Sequence, residues 1–324
     1  MMHQSVSIVI FKKFLMNGKR VLITGGNGNI GSYLVPFLQN SGYCIYVLTR
    51  DNKSYNAQPG INVIEADITS SKELSKKLDF DLDYCIHLAS FNEYFLESYA
   101  EKALKINALG TRNLLDVLSK KNLKNFVYFS TVHVYGLFEG KIDENTSLNP
   151  KNDYASTHLF AEYWVKQYKY THKIPYTILR LTNGYGVPKN KSLAKWHLIL
   201  NNLIKGAFDN KVISLSSNGD ICKDLISLNN IGYVVEKLIK KNAANDTFNL
   251  ASGFIYKLNE LAVLVQKEYK KRYKEEVIIK LNTQDKYNYQ SLKVDNSKLL
   301  DFIDFSFKDE ITEQINNIFE LLEK

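Results

Sequence analysis

The chain has 324 residues, is 45% hydrophobic and 23% charged, and carries a net charge of +8 with a pI of about 9.0. That is ordinary globular composition, long enough for one large α/β unit or two tightly associated domains with a substantial core, and it sets aside the low-complexity classes. Three scattered cysteines, Cys44, Cys85 and Cys222, show neither a disulfide framework nor zinc-ligand spacing, which fits a reducing cytoplasm.

The apolar run Val6–Ile10 is too short to span a bilayer, and the basic pair Lys12–Lys13 follows it where a signal peptide would have the charge first. Residues 1–16 therefore read as an extension, and neither an anchor nor a signal is expected. RVLIT from Arg20 reads as a buried parallel strand ending in a glycine cluster. A helix runs from about Asn29 to a stop near Asn40-Ser41-Gly42. CIYVL from Cys44, INVIEADI from Ile61, YCIHLA from Tyr84 and NFVYFS from Asn125 read as further strands, with PYTILRL from Pro175 the last. Between them, 70–78, 103–119 and 153–171 read as helices. Alternating strands and helices predict an α/β fold, a Rossmann-like doubly wound parallel sheet. After Leu181 the alternation becomes irregular. The expected division is a dinucleotide-binding domain over 17–180 and a mainly substrate-binding domain over 181–324, partly interleaved with it and set over the carboxyl ends of the strands. The densest basic run, KEYKKRYKEEVIIK from Lys267, is interleaved with acids and reads as a solvated helix face; no nucleic-acid motif accompanies it.

TGGNGNIGSYL, from Thr24, places Gly25, Gly28 and Gly31 three apart between a strand and a helix. A tight turn there needs positive φ, close approach of backbone to a pyrophosphate, and a helix N-terminus facing the anion. The cradle is Gly25, Gly28, Asn29, Ile30 and Gly31. The end of the second strand sets the ribose preference. An acid there suits NAD, yet this chain has Thr49 and then Arg50, whose planar fork suits a 2′-phosphate. NADP is the expected cofactor, with NAD the alternative if Asp51 takes the acidic role.

Further segments now bear a resemblance. EADI, with Asp67 and Ile68; HLAS, with Leu88, Ala89 and Ser90; NALGTRNLLDV from Asn107; STVHVYG from Ser130; RLTNGYGVP from Arg180; KDLISLNNI from Lys223; and DNSK from Asp295 follow the glycine turn in a fixed order. The chain resembles an extended short-chain dehydrogenase/reductase of the nucleotide-sugar epimerase/dehydratase type, from about Lys19 to at least Lys298. The resemblance implies that Asp67 and Ile68 bracket adenine and that Leu88, Ala89, Ser90 and Asn107 lie by the cofactor. It implies a Tyr acid/base exchanging a proton with a sugar hydroxyl or ketone, a Ser or Thr hydroxyl on the same oxygen, and a Lys four residues after the Tyr. Here these positions are Tyr154, Thr131 and His158.

The His is the departure. Residues i and i+4 share a helix face, so His158 can still point toward Tyr154. A free Tyr has a pKa near 10, and a cation about 4 Å away is worth roughly 4 kcal/mol at an effective dielectric of ~20, or about 3 pKa units. Lys supplies that charge at any physiological pH; His, near 6.5 when free, is mostly neutral at pH 7. Three readings stay open. His158 acts as a pH-gated Lys, with activity rising below about pH 7. Alternatively, another basic residue or the cationic nicotinamide lowers the Tyr pKa. Or the chain is a nucleotide- or nucleotide-sugar-binding member with little turnover.

Family dehydratases that eliminate water across carbons 5 and 6 carry acids in the two positions after the Thr. This chain has Val132 and His133, so an epimerase or 4-ketoreductase is expected. Asn183 and Lys223 match substrate-contacting positions, Lys223 standing where the family has Arg. His87 reads as a hydrogen-bonded core residue and Trp196 as a core Trp or a base-pocket wall. The expectation is a cytoplasmic enzyme of surface-glycan synthesis acting on a nucleoside-diphosphate sugar, without nucleic-acid or membrane partners. Dimerisation through the Ala103 and Asp153 helices is what the resemblance implies for assembly.

Overall fold

The computed structural model describes residues 18–50, 60–92, 99–187, 195–241 and 244–324. The extension at 1–16 and Asp51 lie outside them. In chain order come β1 (Arg20–Thr24), α1 (Asn29–Asn40), β2 (Cys44–Thr49), β3 (Ile61–Glu65), α2 (Ser71–Lys77) and β4 (Tyr84–His87). Next are α3 (Ala100–Ala103), a π-turn (Leu104–Leu109), α4 (Gly110–Leu118), β5 (Asn125–Thr131) and a 3-10 turn (Val132–Tyr135). Then follow β6 (Gly140–Ile142), α5 (Asp153–His172), β7 (Tyr176–Leu181), β8 (Asn183–Tyr185), α6 (Ile199–Asn210), β9 (Val212–Ser214) and β10 (Cys222–Ser227). The chain ends with α7 (Leu228–Lys241), β11 (Asp246–Leu250), β12 (Ile255–Lys257), α8 (Leu258–Tyr273), β13 (Ile278–Lys280), β14 (Leu292–Val294), α9 (Ser297–Ile303) and α10 (Ile311–Glu323).

Seven strands form one sheet in the order β3-β2-β1-β4-β5-β7-β11. Ladders β1–β2, β2–β3, β1–β4 and β4–β5 are parallel. At the far edge Asn245 N donates to Tyr176 O and Thr182 N to Leu250 O, so β11 advances with β7 and is parallel too. The fold is the Rossmann-like α/β sheet the alternation predicted. β1 has β2 on one side and β4 on the other, so the strand order reverses beside it. Such a switch point leaves a crevice at the carboxyl ends of the strands. Two elements differ from expectation. The 103–119 helix is interrupted by the π-turn, and β11, DTFNL, supplies a seventh strand from the irregular region.

The chain forms two compact units. Unit 1 holds the described residues of Met1–Val134 with Pro150–Leu179 and Val235–Thr247. Its core includes Leu22, Leu74, Cys85, Leu114, Phe126, Val165 and Ile178, supplied by both the strands and the covering helices. Unit 2 holds Tyr135–Asn149, Arg180–Val234 and Phe248–Lys324. Its small sheets are β12-β10-β8, β13-β9 and β14-β6. In α10 the apolar residues Ile311, Ile315, Ile318, Phe319 and Leu322 recur at helical spacing, and they pack with Leu203, Ile204, Leu261 and Val265 of α6 and α8. The basic run from Lys267 is largely matched by acids: Arg272 forks onto Glu323 at 2.7 Å, Lys270 meets Glu276 and Lys271 lies 3.9 Å from Glu268. Among the described residues, no helix is long and apolar enough to cross a membrane.

Candidate active site

The glycine turn is fixed by contact. A Cβ on Gly31 would lie 2.3 Å from Gly25 O, and one on Gly25, whose φ is 71°, would lie 2.8 Å from Ala89 N. Gly31 thus lets α1 close onto β1, and Gly25 lets the β1 and β4 turns touch. Gly28 is the N-cap of α1 with no side-chain cap, and the first turn carries no acid, so the positive end of the helix is left uncompensated. Asn29 and Ile30 open that helix, and the Asn29 Oδ1 is buried without a hydrogen-bond partner. A helix N-terminus with no side-chain cap and no acid, set on a glycine cradle, fits a dinucleotide pyrophosphate. Thr49 at the end of β2 is buried and receives Asn27 Nδ2 at 3.3 Å, while Arg50 is exposed.

The NALGTRNLL segment turns out to be a set of clamps. Gly110 admits Ile68, whose Cγ2 would stand 2.9 Å from an added Cβ. Asn113 Nδ2 donates to Ile68 O and Thr69 O, at 3.3 and 3.1 Å. Asp67 Oδ1 accepts from Thr69 N and Oγ1, both at 2.8 Å, so the loop after β3 is held from both sides. Thr24 Oγ1 accepts from Leu88 N and Ala89 N, so its proton goes to His87 Nδ1, 2.6 Å away. His87 Nε2 then donates to Thr111 Oγ1 at 2.9 Å, and Thr111 donates to Asn107 O at 2.5 Å. Burial lowers the His87 pKa to about 3, so this ring is a neutral core residue, as its sequence context indicated. Ser90 is exposed next to that turn. Asn107, in the π-turn, accepts from Phe91 N at 2.6 Å and donates to Phe91 O and Thr157 Oγ1, both at 3.0 Å. It therefore ties the segment after β4 to α5, where Tyr154 sits.

Asn152 caps α5 by accepting from Ala155 N at 2.8 Å, which puts Tyr154 in the first turn, half-buried. Thr131 ends β5, and its Oγ1 accepts from His133 N at 3.2 Å. The rings of His133 and Tyr154 stand edge-on with centroids 6.2 Å apart, and those of Tyr154 and His158 are 4.6 Å apart. His158 does share the Tyr154 face. It is only 3% exposed, and Tyr128 OH lies 2.7 Å from its Nδ1. Burial lifts the Tyr128 phenol well above its usual range, with Glu162 and Tyr154 adding to the rise. A neutral phenol donating to Nδ1 leaves a single orphan, the Nε2–H; the opposite tautomer would orphan two groups. His158 Nε2 is buried without a partner. Burial, reinforced by His133, lowers the His158 pKa to about 3. Of the three readings the sequence leaves open, burial of the ring weighs against the pH-gated charge, because desolvation favours neutral His158.

Within unit 2, Asn183 Nδ2 donates to Asp224 O at 2.9 Å. Lys223 on β10 is half-buried, and burial lowers its pKa, which works against its charged form. Beside it Asp224 accepts from Thr182 Oγ1 at 2.7 Å, Ser252 N at 3.0 Å and Gly253 N at 2.7 Å, fixing the strand that carries Lys223. Trp196 packs partly buried on the unit 2 core with Lys205 Nζ 5.5 Å over its ring.

The sequence pattern of the NAD-dependent epimerase/dehydratase family matches residues 21–251. The chain belongs to that family. The low-salt glycan biosynthesis protein Agl12 of Haloferax volcanii is 28% identical over 244 residues, 72% of this chain and 77% of that protein. A dTDP-D-glucose 4,6-dehydratase of Dictyostelium discoideum is 26% identical over 262 residues, 73% of this chain and 59% of that protein. The crystal structure of a Bacillus cereus UDP-glucuronic acid 4-epimerase, in complex with UDP-glucuronic acid and NAD, shares the fold with a TM-score of 0.79 at 21% identity. It covers 94% of this chain and 99% of that one. The family assignment from the ordered motifs thus holds. Against this family background, motif reading passed over Tyr128, Thr157 and His133. Tyr128 was hidden in an apolar strand string, and Thr157 between two better-known positions. His133 was noticed only as the lack of an acid.

Proposed function

We propose that this family member is an NADP-dependent, or alternatively NAD-dependent, epimerase or 4-ketoreductase of a nucleoside-diphosphate sugar, serving surface-glycan synthesis in the cytoplasm. The observation that carries the reading is Tyr154 in the capped first turn of α5, flanked by His133 and His158, where an eliminating enzyme would need acids after Thr131. The bound dinucleotide would supply hydride acceptance and donation. Gly25, Gly28, Asn29, Ile30 and Gly31 would hold its pyrophosphate, Asp67 and Ile68 its adenine, and Leu88, Ala89, Ser90 and Asn107 its inner face. Exposed Arg50 supports the 2′-phosphate of NADP. Tyr154 would move the proton on the reacting sugar oxygen, with Thr131 hydrogen-bonded to the same atom and His158 shaping the pocket. Asn183 and Lys223 would take the diphosphate end.

Mass spectrometry of small molecules released by acid from fresh protein tests this. Retained NADP or NAD with a nucleotide sugar supports an epimerase, because a redox-neutral cycle keeps its cofactor. Tyr154→Phe should then keep the cofactor and lose about 10²- to 10⁴-fold in turnover. The neutral, buried His158 favours one rival reading, a nucleotide-sugar-binding member. That rival predicts bound ligand with no turnover in wild type or in His158→Lys.

The chain would act as a homodimer. Phe160, Tyr163 and Tyr170 on α5, 53%, 55% and 80% exposed, lie on one side of the helix, and Leu104 and Leu109 of the neighbouring π-turn are 48% and 39% exposed. A second copy covering this helix pair would bury them.

A further inference from the structure

We propose that His133 is the proton partner of Tyr154, accepting the phenolic proton before the sugar reacts. The proposal rests on the reading of Tyr154 as the acid/base and goes beyond it by naming where the proton goes. His133 is half-buried at the start of the 3-10 turn, and its backbone N–H is tethered to Thr131 Oγ1 at 3.2 Å. Its ring stands edge-on to Tyr154 at a centroid distance of 6.2 Å, a spacing that leaves room for proton transfer directly or through one water.

The other titratable groups around the pair do not offer that service. On α5, His158 is buried with its Nδ1 engaged by Tyr128, and Glu162 is buried and accepts from Ser130 Oγ at 2.6 Å. On β5, Tyr128 is a buried phenol. On β4, His87 is locked between Thr24 and Thr111. Of these rings, His133 alone is not buried. In the transfer the Tyr154 O–H bond breaks and an N–H bond forms on His133, giving a phenolate–imidazolium pair with no change in total charge. The phenolate can then take a proton from a sugar hydroxyl.

Free pKa values near 10 and 6.5 oppose the transfer by about 3.5 units. An imidazolium ~6 Å from the phenolate at an effective dielectric of ~20 returns about 2 of them. The reactive pair is then populated at roughly 3% from about pH 7 to 9, against roughly 0.1% phenolate at pH 7 for an isolated Tyr. His133 acts through Tyr154, so its signature is a pH profile.

Conversion of UDP-glucose, with NADP or NAD added, is measured from pH 5 to 10. The wild-type rate should rise with pH through about 6.5, because a protonated His133 cannot accept, hold level to about pH 8, and rise again as Tyr154 itself ionises. His133→Gln should lose roughly 20-fold at pH 7 and climb about tenfold per pH unit to near-wild-type rates by pH 9. His158→Gln should keep the limb near 6.5. An unchanged limb in His133→Gln, or an equal loss at pH 7 and pH 9, overturns the proposal. A substrate-free arm uses ¹³Cζ-tyrosine NMR of the full chain, with Tyr154 assigned by Tyr154→Phe. Tyr154 should show a small step near pH 6.5 before its main ionisation, and a single step in His133→Gln; a single step in wild type also overturns the proposal. Two steps without turnover of any sugar nucleotide would leave the His133 coupling standing and refute the enzyme reading instead. Full turnover by Tyr154→Phe would refute the acid/base reading itself.

Discussion

Tyr128 and His158 satisfy each other in the core, and each is costly alone. Removing one partner of a buried hydrogen bond leaves the other to bear its desolvation, about 1–3 kcal/mol, whereas replacing both with apolar groups can be nearly neutral. Tyr128→Phe is expected to lower stability by that amount in urea unfolding. Tyr128→Phe with His158→Leu should lose less than the sum of the two single changes. The sequence spacing correctly put residue 158 on the Tyr154 face. It could not reveal that Tyr128, thirty positions earlier and within an apolar string, would donate to that ring and help hold it in the core. Burial, a tertiary property, then decided its charge.

At the scale of elements, the strands and the glycine turn before Leu181 were legible because apolar runs, glycines and caps are local signals. Asn152 accepting from Ala155 N is such a signal. The π-turn was not legible. Its extra residue is stabilised by contacts far along the chain, Asn107 with Phe91 and Thr157, and the apolar period alone predicts one continuous helix through it. π-turns of this kind often sit at functional sites, and this one ties α5 to the turn after β4. The exposed side of α5 carries its own expectation. If the proposed homodimer forms through this face, Tyr163→Asp should shift light scattering toward the monomer without lowering the melting temperature by more than a few degrees, because Tyr163 is exposed.

For the whole molecule, two neutral buried imidazoles set an acid limit. Unfolded, His87 and His158 bind protons near pH 6.5; folded, they do so only near pH 3. Their contribution is therefore complete above about 6.5 and is lost as pH falls toward 3, at about 1.4 kcal/mol per pH unit for each ring. Urea midpoints measured from pH 7 to 4 should fall accordingly, and His158→Leu should remove about half of that slope. The family and the α/β class were readable at this scale because their motifs come in order. The return of β11 to the sheet was not, because its five residues carry no mark of which sheet they join.

That return has a consequence for biosynthesis. A chain leaving the ribosome has made β7 long before β11 exists, and β8, α6, β9, β10 and α7 are made in between. Until residues 246–250 emerge, Tyr176–Leu181 is an apolar border strand with one row of amide and carbonyl groups unmet, the kind of border that recruits other chains. A polypeptide cut at Leu181 would keep that border permanently. Its expected fate is precipitation, so the first six strands of the sheet cannot be harvested by trimming the chain after β7.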